Sequence, residues 1–320
     1  MRLWNVIKGI FCREKELYFT ALGPSGAGKT SVLACMSKVF SDKAMAGLLT
    51  ADSKTNSTLE SAYKELEKMG NDTWPTMKVP SLVPGTKDLR EHIFTISGIK
   101  VTFFDFPGGW MSSSGSDKEK DNYNKVLNIV QKSMVVIIAI DTPYIMEDNE
   151  QYIKRAKVSE VEHFLQSLMN SNNSKLILPK LILLVPIKCE KYTRNPEDTA
   201  KLHETIKNTY KQTVNMVTIN HPDRLALAMM PIHTIGNIEF ARFDKEHDGE
   251  IILRRNNEYK FAPRDADQPL RYAVNFLLKQ NKHYWKRNDM KRIAEIIEEG
   301  IHTDRKNGFE IIHGYEMIIG

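Results

Sequence analysis

The octapeptide Gly23-Pro24-Ser25-Gly26-Ala27-Gly28-Lys29-Thr30 constrains this chain more than any other segment. Glycines at its first, fourth and sixth positions free the backbone for a tight curl, in which successive N–H groups converge on one point. An apolar run, Leu17 to Leu22, precedes the octapeptide, and a helical pattern from Lys29 to Phe40 follows it. A turn of this kind between a strand and a helix adds the positive end of the helix dipole at the same place. In that setting Gly-x-x-x-x-Gly-Lys-Thr is a cradle for polyphosphate. Gly23, Ser25, Gly26, Ala27, Gly28 and Ser31 are the expected wall of the cradle. Lys29 is expected to reach the β- and γ-phosphates and the Thr30 hydroxyl to bind Mg²⁺.

The rest of the chain reads as the sheet that such a cradle needs. Lys100 to Phe104, Met134 to Ile140, Leu181 to Ile187 and Leu225 to Ile232 are short apolar runs of the kind buried on both faces of a parallel sheet. Helical patterns at Leu59 to Met69, Gln151 to Met169 and Glu197 to Val217 lie between them. Glu91 to Ile96, joined through Ser97-Gly98 to the Lys100 run, predicts an antiparallel hairpin. The expected fold is α/β: a three-layer, mostly parallel sheet with one antiparallel edge strand and a small C-terminal extension.

The main domain is expected over residues 15–282, with a hairpin insertion at about 237–263. Within the insertion, Gly249 to Phe261 reads as a polar hairpin with Asn256-Asn257 near its tip. Gln268-Pro269 introduces a helix, Leu270 to Leu278. Residues 1–14 read as an amphipathic segment with Leu3, Trp4, Ile7, Ile10 and Phe11 on one side, suited first to packing on the domain itself, and otherwise to docking on a partner or lying on a membrane surface. Residues 283–320 read as a separate tail: a charged helix at Asp289 to Glu299 and an apolar end, Phe309 to Ile319.

Composition narrows the functional classes. The 320 residues carry a net charge of +5, but lysines and arginines are dispersed, so no nucleic-acid face is expected. Three cysteines without metal or redox spacing suit a reducing compartment, and no run approaches the about 20 apolar residues of a membrane span. A cytoplasmic location without membrane association is the expectation.

Val101-Thr102-Phe103-Phe104-Asp105-Phe106-Pro107-Gly108 is the second signal. A carboxylate ending a strand beside the cradle can hold Mg²⁺ through water, and Gly108 can present its N–H to a γ-phosphate. The spacing resembles the switch II element of Ras-like and translation-factor-like GTPases. A switch I threonine is then expected upstream, to coordinate Mg²⁺ when the γ-phosphate is present. Thr86, nineteen residues before Asp105, is the first choice, and Thr76, after Trp74-Pro75, competes with it. Lys29, Thr86 and Gly108 make up the expected catalytic set.

GTPases carry Asn/Thr-Lys-x-Asp where this chain has Ile187-Lys188-Cys189-Glu190. The Lys188 stem could lie over a purine, and Glu190 could accept from guanine N1 and N2, donors that adenine lacks. Ile187 departs from the pattern. Thr234-Ile235-Gly236 stands where the last base-contacting loop is placed, though turn chemistry explains it equally.

In this order the elements resemble a P-loop GTPase of the translation-factor-related class. More narrowly, Trp74-Pro75, Asp105-Phe106-Pro107-Gly108-Gly109, Pro186 to Tyr192 and Gln268-Pro269-Leu270 resemble the bacterial double-GTPase families. The resemblance covers residues 15 to 282. It implies GTP and GDP as ligands, Mg²⁺ as cofactor, and a role as a paired switch in prokaryotic conflict or regulatory systems. It also implies a protein partner: a second GTPase, an activator, an effector or a second copy. Ras-like enzymes place a water-orienting Gln directly after Asp-x-x-Gly; here Gly109 and Trp110 follow, so slow turnover is expected. A partner's arginine could raise such a rate by roughly 10³- to 10⁵-fold. The Gly- and Ser-rich stretch Gly108 to Lys118 can move between states or serve only as a surface loop. An ATP-using enzyme with the same cradle, or a nucleotide-holding recruitment module without turnover, are the competing readings.

Overall fold

A computed structural model describes residues 16–42, 49–72, 74, 76–78, 86–96, 99–112, 115–147, 153–170, 179–246, 249–256, 260–280, 293–297 and 299–319. The expected N-terminal amphipathic segment, residues 289–292 of the expected charged helix, and Asn257 lie outside these residues.

The strands, in chain order, are β1 (Glu16–Leu22), β2 (Leu49–Ala51), β3 (Thr76–Lys78), β4 (Arg90–Ile96), β5 (Ile99–Asp105), β6 (Val135–Asp141), β7 (Lys180–Ile187), β8 (Leu225–Met229), β9 (Ile238–Asp244), β10 (Glu250–Arg255) and β11 (Glu310–His313). The longer helices are α1 (Lys29–Asp42), α2 (Ser53–Asn71), α3 (Asp117–Lys132), α4 (Val158–Asn170), α5 (Pro196–Thr209) and α6 (Gln268–Gln280). Eight strands form one sheet in the order β11-β8-β7-β6-β1-β5-β4-β2, and β3-β10-β9 form a second.

From β8 to β5 the large sheet is parallel, and β4 runs antiparallel to β5 with Arg90 opposite Asp105. The fold is α/β, as the apolar runs predict. Successive residues of β6 serve opposite faces. Val135, Ile137 and Ala139 pack with α1 and α6 residues such as Leu33, Met36 and Phe276. Val136, Ile138 and Ile140 pack with Val126 and Val130 of α3, Phe164 of α4 and Ile206 of α5. Burial on both faces is why these strands read as continuous apolar runs.

The sheet extends past the expected hairpin. Beyond β4 lies β2, and at the far edge β11 pairs antiparallel with β8. The segment expected to be a separate tail therefore supplies an edge strand, and its Phe309 and Ile318 are buried in the core. The polar hairpin also differs: β9 and β10 are its strands, and Gly249 sits in the connecting turn at φ +75. Strand β9, with Ile238, Phe240 and Phe243 among charged residues, lies within the expected hairpin insertion.

Helix boundaries shift where caps override apolar periodicity. Helix α2 starts six residues before Leu59 because the Asp52 side chain accepts from the Thr55 N–H at 2.7 Å. The stretch read as Gly108 to Lys118 holds a helical turn at Gly108–Met111 and the start of α3. Ser116 and Glu119 form a capping box there, a signal written in Ser-x-x-Glu. The single helix expected from Glu197 to Val217 breaks at buried Tyr210, and the Thr213 N–H is drawn to Glu162 at 2.9 Å. Upstream of α4, left-handed Lys157 separates a short turn, Lys154–Ala156, from the helix proper. Strand β8 ends at Met229 because Pro231 has no N–H, although Met230 and Ile232 still donate to β7 carbonyls.

Strand β1 is flanked by β5 and β6, so connections leave it in opposite directions. A crevice opens at the carboxyl ends of strands at such a reversal, and the octapeptide follows β1 there.

Candidate functional site

The octapeptide is shaped by close backbone approach. Gly23, Gly26 and Gly28 have φ of +143, +76 and +100, a region that side-chain-bearing residues rarely adopt. A Cβ on Gly23 would stand 2.6 Å from the Ala139 carbonyl oxygen, and one on Gly28 would meet Ile187 Cδ1 at 2.9 Å. The curl is thus seated on β6 and on the end of β7.

Lys29 is buried and donates from Nζ to the carbonyls of Gly23 at 3.0 Å and Pro24 at 3.1 Å. Burial lowers its pKa from the ordinary lysine value, opposed by the charge of Asp105. Thr30 donates to Asp105 Oδ2 at 2.8 Å, and Thr86 donates to the same oxygen at 2.9 Å. The two hydroxyls lie 3.2 Å apart. Asp105 Oδ1 is buried without a hydrogen-bond partner among the described residues. Two hydroxyls around a buried carboxylate with an unused oxygen form a hard, all-oxygen donor set, which fits a small divalent cation such as Mg²⁺.

Three segments meet at this cluster: the α1 N-terminus, the approach to β4 and the end of β5. Thr76 does not join it. That residue lies in β3 of the second sheet, paired with Arg254. Gly108 packs directly on the cradle, so that a Cβ there would stand 2.3 Å from the Ser25 nitrogen. Gly109 next to it is exposed, and a Cβ on it would meet nothing within 4 Å.

The opposite end is built on side chains. Lys188, at φ +54, donates to the Gly26 carbonyl at 3.1 Å and to Asp141 Oδ2 at 2.7 Å, tying β7 and β6 to the cradle. Asp141 was not singled out in the sequence; its signal is a lone carboxylate ending an apolar strand. Burial raises its pKa, and the Lys188 charge opposes that shift. Ile187 fills apolar space against Gly28, where the related pattern has an amide. Glu190 is only 7% exposed, and Oε2 has no hydrogen-bond partner among the described residues. Desolvation pushes its pKa to about 7, opposed by hydrogen bonds from the Glu190 and Gly236 amides.

Thr234 and Ile235 are buried and held by backbone contacts: Cys35 Sγ donates to the Thr234 carbonyl at 3.2 Å, and the Ala262 N–H to the Ile235 carbonyl at 3.0 Å. Gly236, at φ +84, leaves no room for a side chain, because a Cβ would stand 2.0 Å from the Ala262 carbonyl oxygen. Packing alone requires glycine there. His92, on the face of β4 next to Asp105, is also buried with neither ring nitrogen partnered. Burial lowers its pKa, opposed by Asp105. No sequence pattern singled it out.

Comparison with known proteins adds an independent line. The family model described as Double-GTPase 2 matches residues 20–229, which contain both ends of the site except Thr234 to Gly236. No curated protein matches the chain. Among solved structures, similarity is found to the Arl6 BBS3 small GTPase from Trypanosoma brucei with bound GppNp, at 12% identity and a TM-score of 0.36, over 68% of this chain and 87% of that one. The Saccharomyces cerevisiae Ski7 GTPase-like domain bound to GDP and inorganic phosphate is similar at 10% identity and a TM-score of 0.38, over 88% of this chain and 53% of that one. Its GTP-bound structure gives 13% and 0.35, over 72% and 45%.

Proposed function

The chain belongs to the Double-GTPase 2 family, and on that premise we propose that it binds guanine nucleotide with Mg²⁺, hydrolyses GTP slowly and works as a nucleotide-dependent switch. The observation that carries this reading is the convergence of Thr30 and Thr86 on one oxygen of Asp105 beside the glycine curl. Thr30, Thr86 and Asp105 would hold the metal, which supplies charge neutralisation at the phosphate oxygens. The curl's amides bind the phosphates, Lys29 neutralises charge that develops on them, and the Gly108 amide orients the terminal group. Transfer to water then rests on positioning and electrostatics.

Slow turnover follows from the chain around Gly108. Gly109 and Trp110 offer no side chain to orient the attacking water. A partner that supplies such a group, or an arginine, would set the clock, and the family's implied pairing with another GTPase or a second copy gives that partner a source. A role in prokaryotic conflict or regulation belongs to the same reading.

A second reading, in which ATP is the ligand, is favoured by Ile187, whose apolar side chain occupies the place of a base-loop amide. Calorimetric titration of the full chain with GTP, GDP and ATP, each with Mg²⁺, separates the two. Tighter binding of guanine nucleotide is expected; equal or tighter ATP binding would defeat the guanine assignment. Phosphate release followed over hours, with Lys29→Ala as control, then tests turnover against a nucleotide-holding module.

A further inference from the structure

A cavity of about 590 Å³ opens beside the residues that follow β7, and neither Lys188 nor any octapeptide residue lines it among the described residues. Its walls are Glu190 and Arg194, then Glu239, Arg254 and Arg255 of the β9–β10 hairpin, and Arg264 ahead of α6. Four guanidinium groups thus face two carboxylates.

The internal pairing leaves part of this charge unused. Buried Glu239 accepts from Arg194 through one oxygen and from Arg254 through the other, the latter at 2.9 Å. That accounts for one carboxylate and two arginines. Arg255 is held in place, with Nη1 donating to the Gly70 carbonyl at 2.8 Å and the guanidinium 5.8 Å from the Trp74 ring centroid. Its Nη2 is buried without a partner among the described residues. The Arg264 side chain makes no hydrogen bond among the described residues; its backbone is anchored to His233 on both sides. Glu190 also lines this space, and the charge of Arg264 acts on it.

Buried donors and acceptors in folded proteins are almost always satisfied, so unmet ones around a cavity indicate a ligand that meets them. We propose that this cavity is a second ligand site, separate from the phosphate cradle, for a phosphate-bearing small molecule. Arg255 and Arg264 take the phosphoryl oxygens, because the planar guanidinium fork matches that geometry. The volume suits a metabolite-sized molecule, within the range of about 300–1,000 Å³ usual for such sites. Arg255, fixed on two sides before any ligand arrives, loses little freedom on binding.

The site borders the base end of the guanine-nucleotide reading at Glu190 but does not rest on that reading, and its test removes the cradle from view. Pyrophosphate is titrated calorimetrically into the full chain carrying Lys29→Ala, then into the same protein with Arg264→Gln or Arg255→Gln added. Binding that persists in Lys29→Ala and weakens at least about tenfold with each arginine change supports the site. Arg264→Gln removes no described side-chain hydrogen bond, only a charge that acts on Glu190 and His233, so it keeps the test open if Arg255→Gln unfolds; a thermal melt checks each protein. Absence of binding in Lys29→Ala, or binding indifferent to Arg264→Gln, overturns the proposal. Displacement of pyrophosphate by guanosine would make the cavity part of a base pocket and overturn it as well.

Discussion

At the phosphate end of the candidate site, Gly23 and Gly108 bring backbone within contact of backbone, and two hydroxyls share one carboxylate oxygen. At the base end, Ile187 packs apolar against Gly28, Lys188 is spent on Gly26 and Asp141, and Glu190 is buried with an unpaired oxygen. The first arrangement presents amides and hydroxyls, which do not ionise near neutral pH, around Lys29 and Asp105. The second depends on a buried carboxyl that does. On the proposed reading, the comparison teaches that the phosphate end is fixed chemistry on a glycine curl, whereas base recognition would be conditional on side-chain charge.

The largest test of this contrast is Lys29→Ala, which removes an ammonium that meets phosphate. Nucleotide affinity is expected to fall about 100-fold, as for loss of charged hydrogen bonds. Without nucleotide, the melting temperature is expected to change little, since Lys29 is a buried charge whose pKa burial lowers. A large loss of stability would show that the lysine holds the curl rather than the ligand.

Next, Thr86→Ala and Asp105→Asn are expected to weaken triphosphate binding about tenfold with Mg²⁺ and much less with EDTA. Thr76→Ala, in β3, is the matched control and should leave both titrations unchanged. A Thr76 effect equal to that of Thr86 would break the assignment of the hydroxyl cluster.

Gly236→Ala sharpens the base end. A Cβ forced against the Ala262 carbonyl should cost about 2 kcal/mol of stability in denaturant unfolding. Affinity of the folded fraction for nucleotide should stay within a few-fold. An affinity loss without destabilisation would instead place that loop's glycine in ligand contact.

The smallest expected effect is on pH. Glu190 has a folded pKa raised from 4.5 to about 7, so its protonated form is favoured by folding. Stability from this group is full below pH 4.5 and is lost as pH rises through about 7. Guanine preference over adenine runs the other way, because only the carboxylate accepts from N1 and N2. It should grow a few-fold from pH 6 to 8 and flatten in Glu190→Gln. A pH-independent preference in the parent protein would remove Glu190 from base reading.

Legibility followed the same division as the chemistry. The five parallel strands could be read because each is buried on both faces and therefore continuously apolar. Helix α3 was missed although Ser116 and Glu119 carry its cap, since its apolar positions, Val126 and Val130, are sparse among charges. Strands β2 and β3 are three residues each, too short for any periodicity. Strand β11 has half-buried residues throughout, and its partner lies some eighty residues away in the chain.

The octapeptide and the Asp-x-x-Gly spacing determined the phosphate end by themselves, because glycine dihedral freedom and backbone amides act locally, within a few residues of the letters that encode them. Tertiary structure alone chose Thr86 over Thr76 as the neighbour of Asp105, joined the C-terminal segment to the main sheet, and gathered four arginines into one cavity. Those outcomes depend on side chains brought together from distant segments, and on which of them loses its water on the way. Burial of that kind is a property of the packed chain, and no short stretch of sequence carries it.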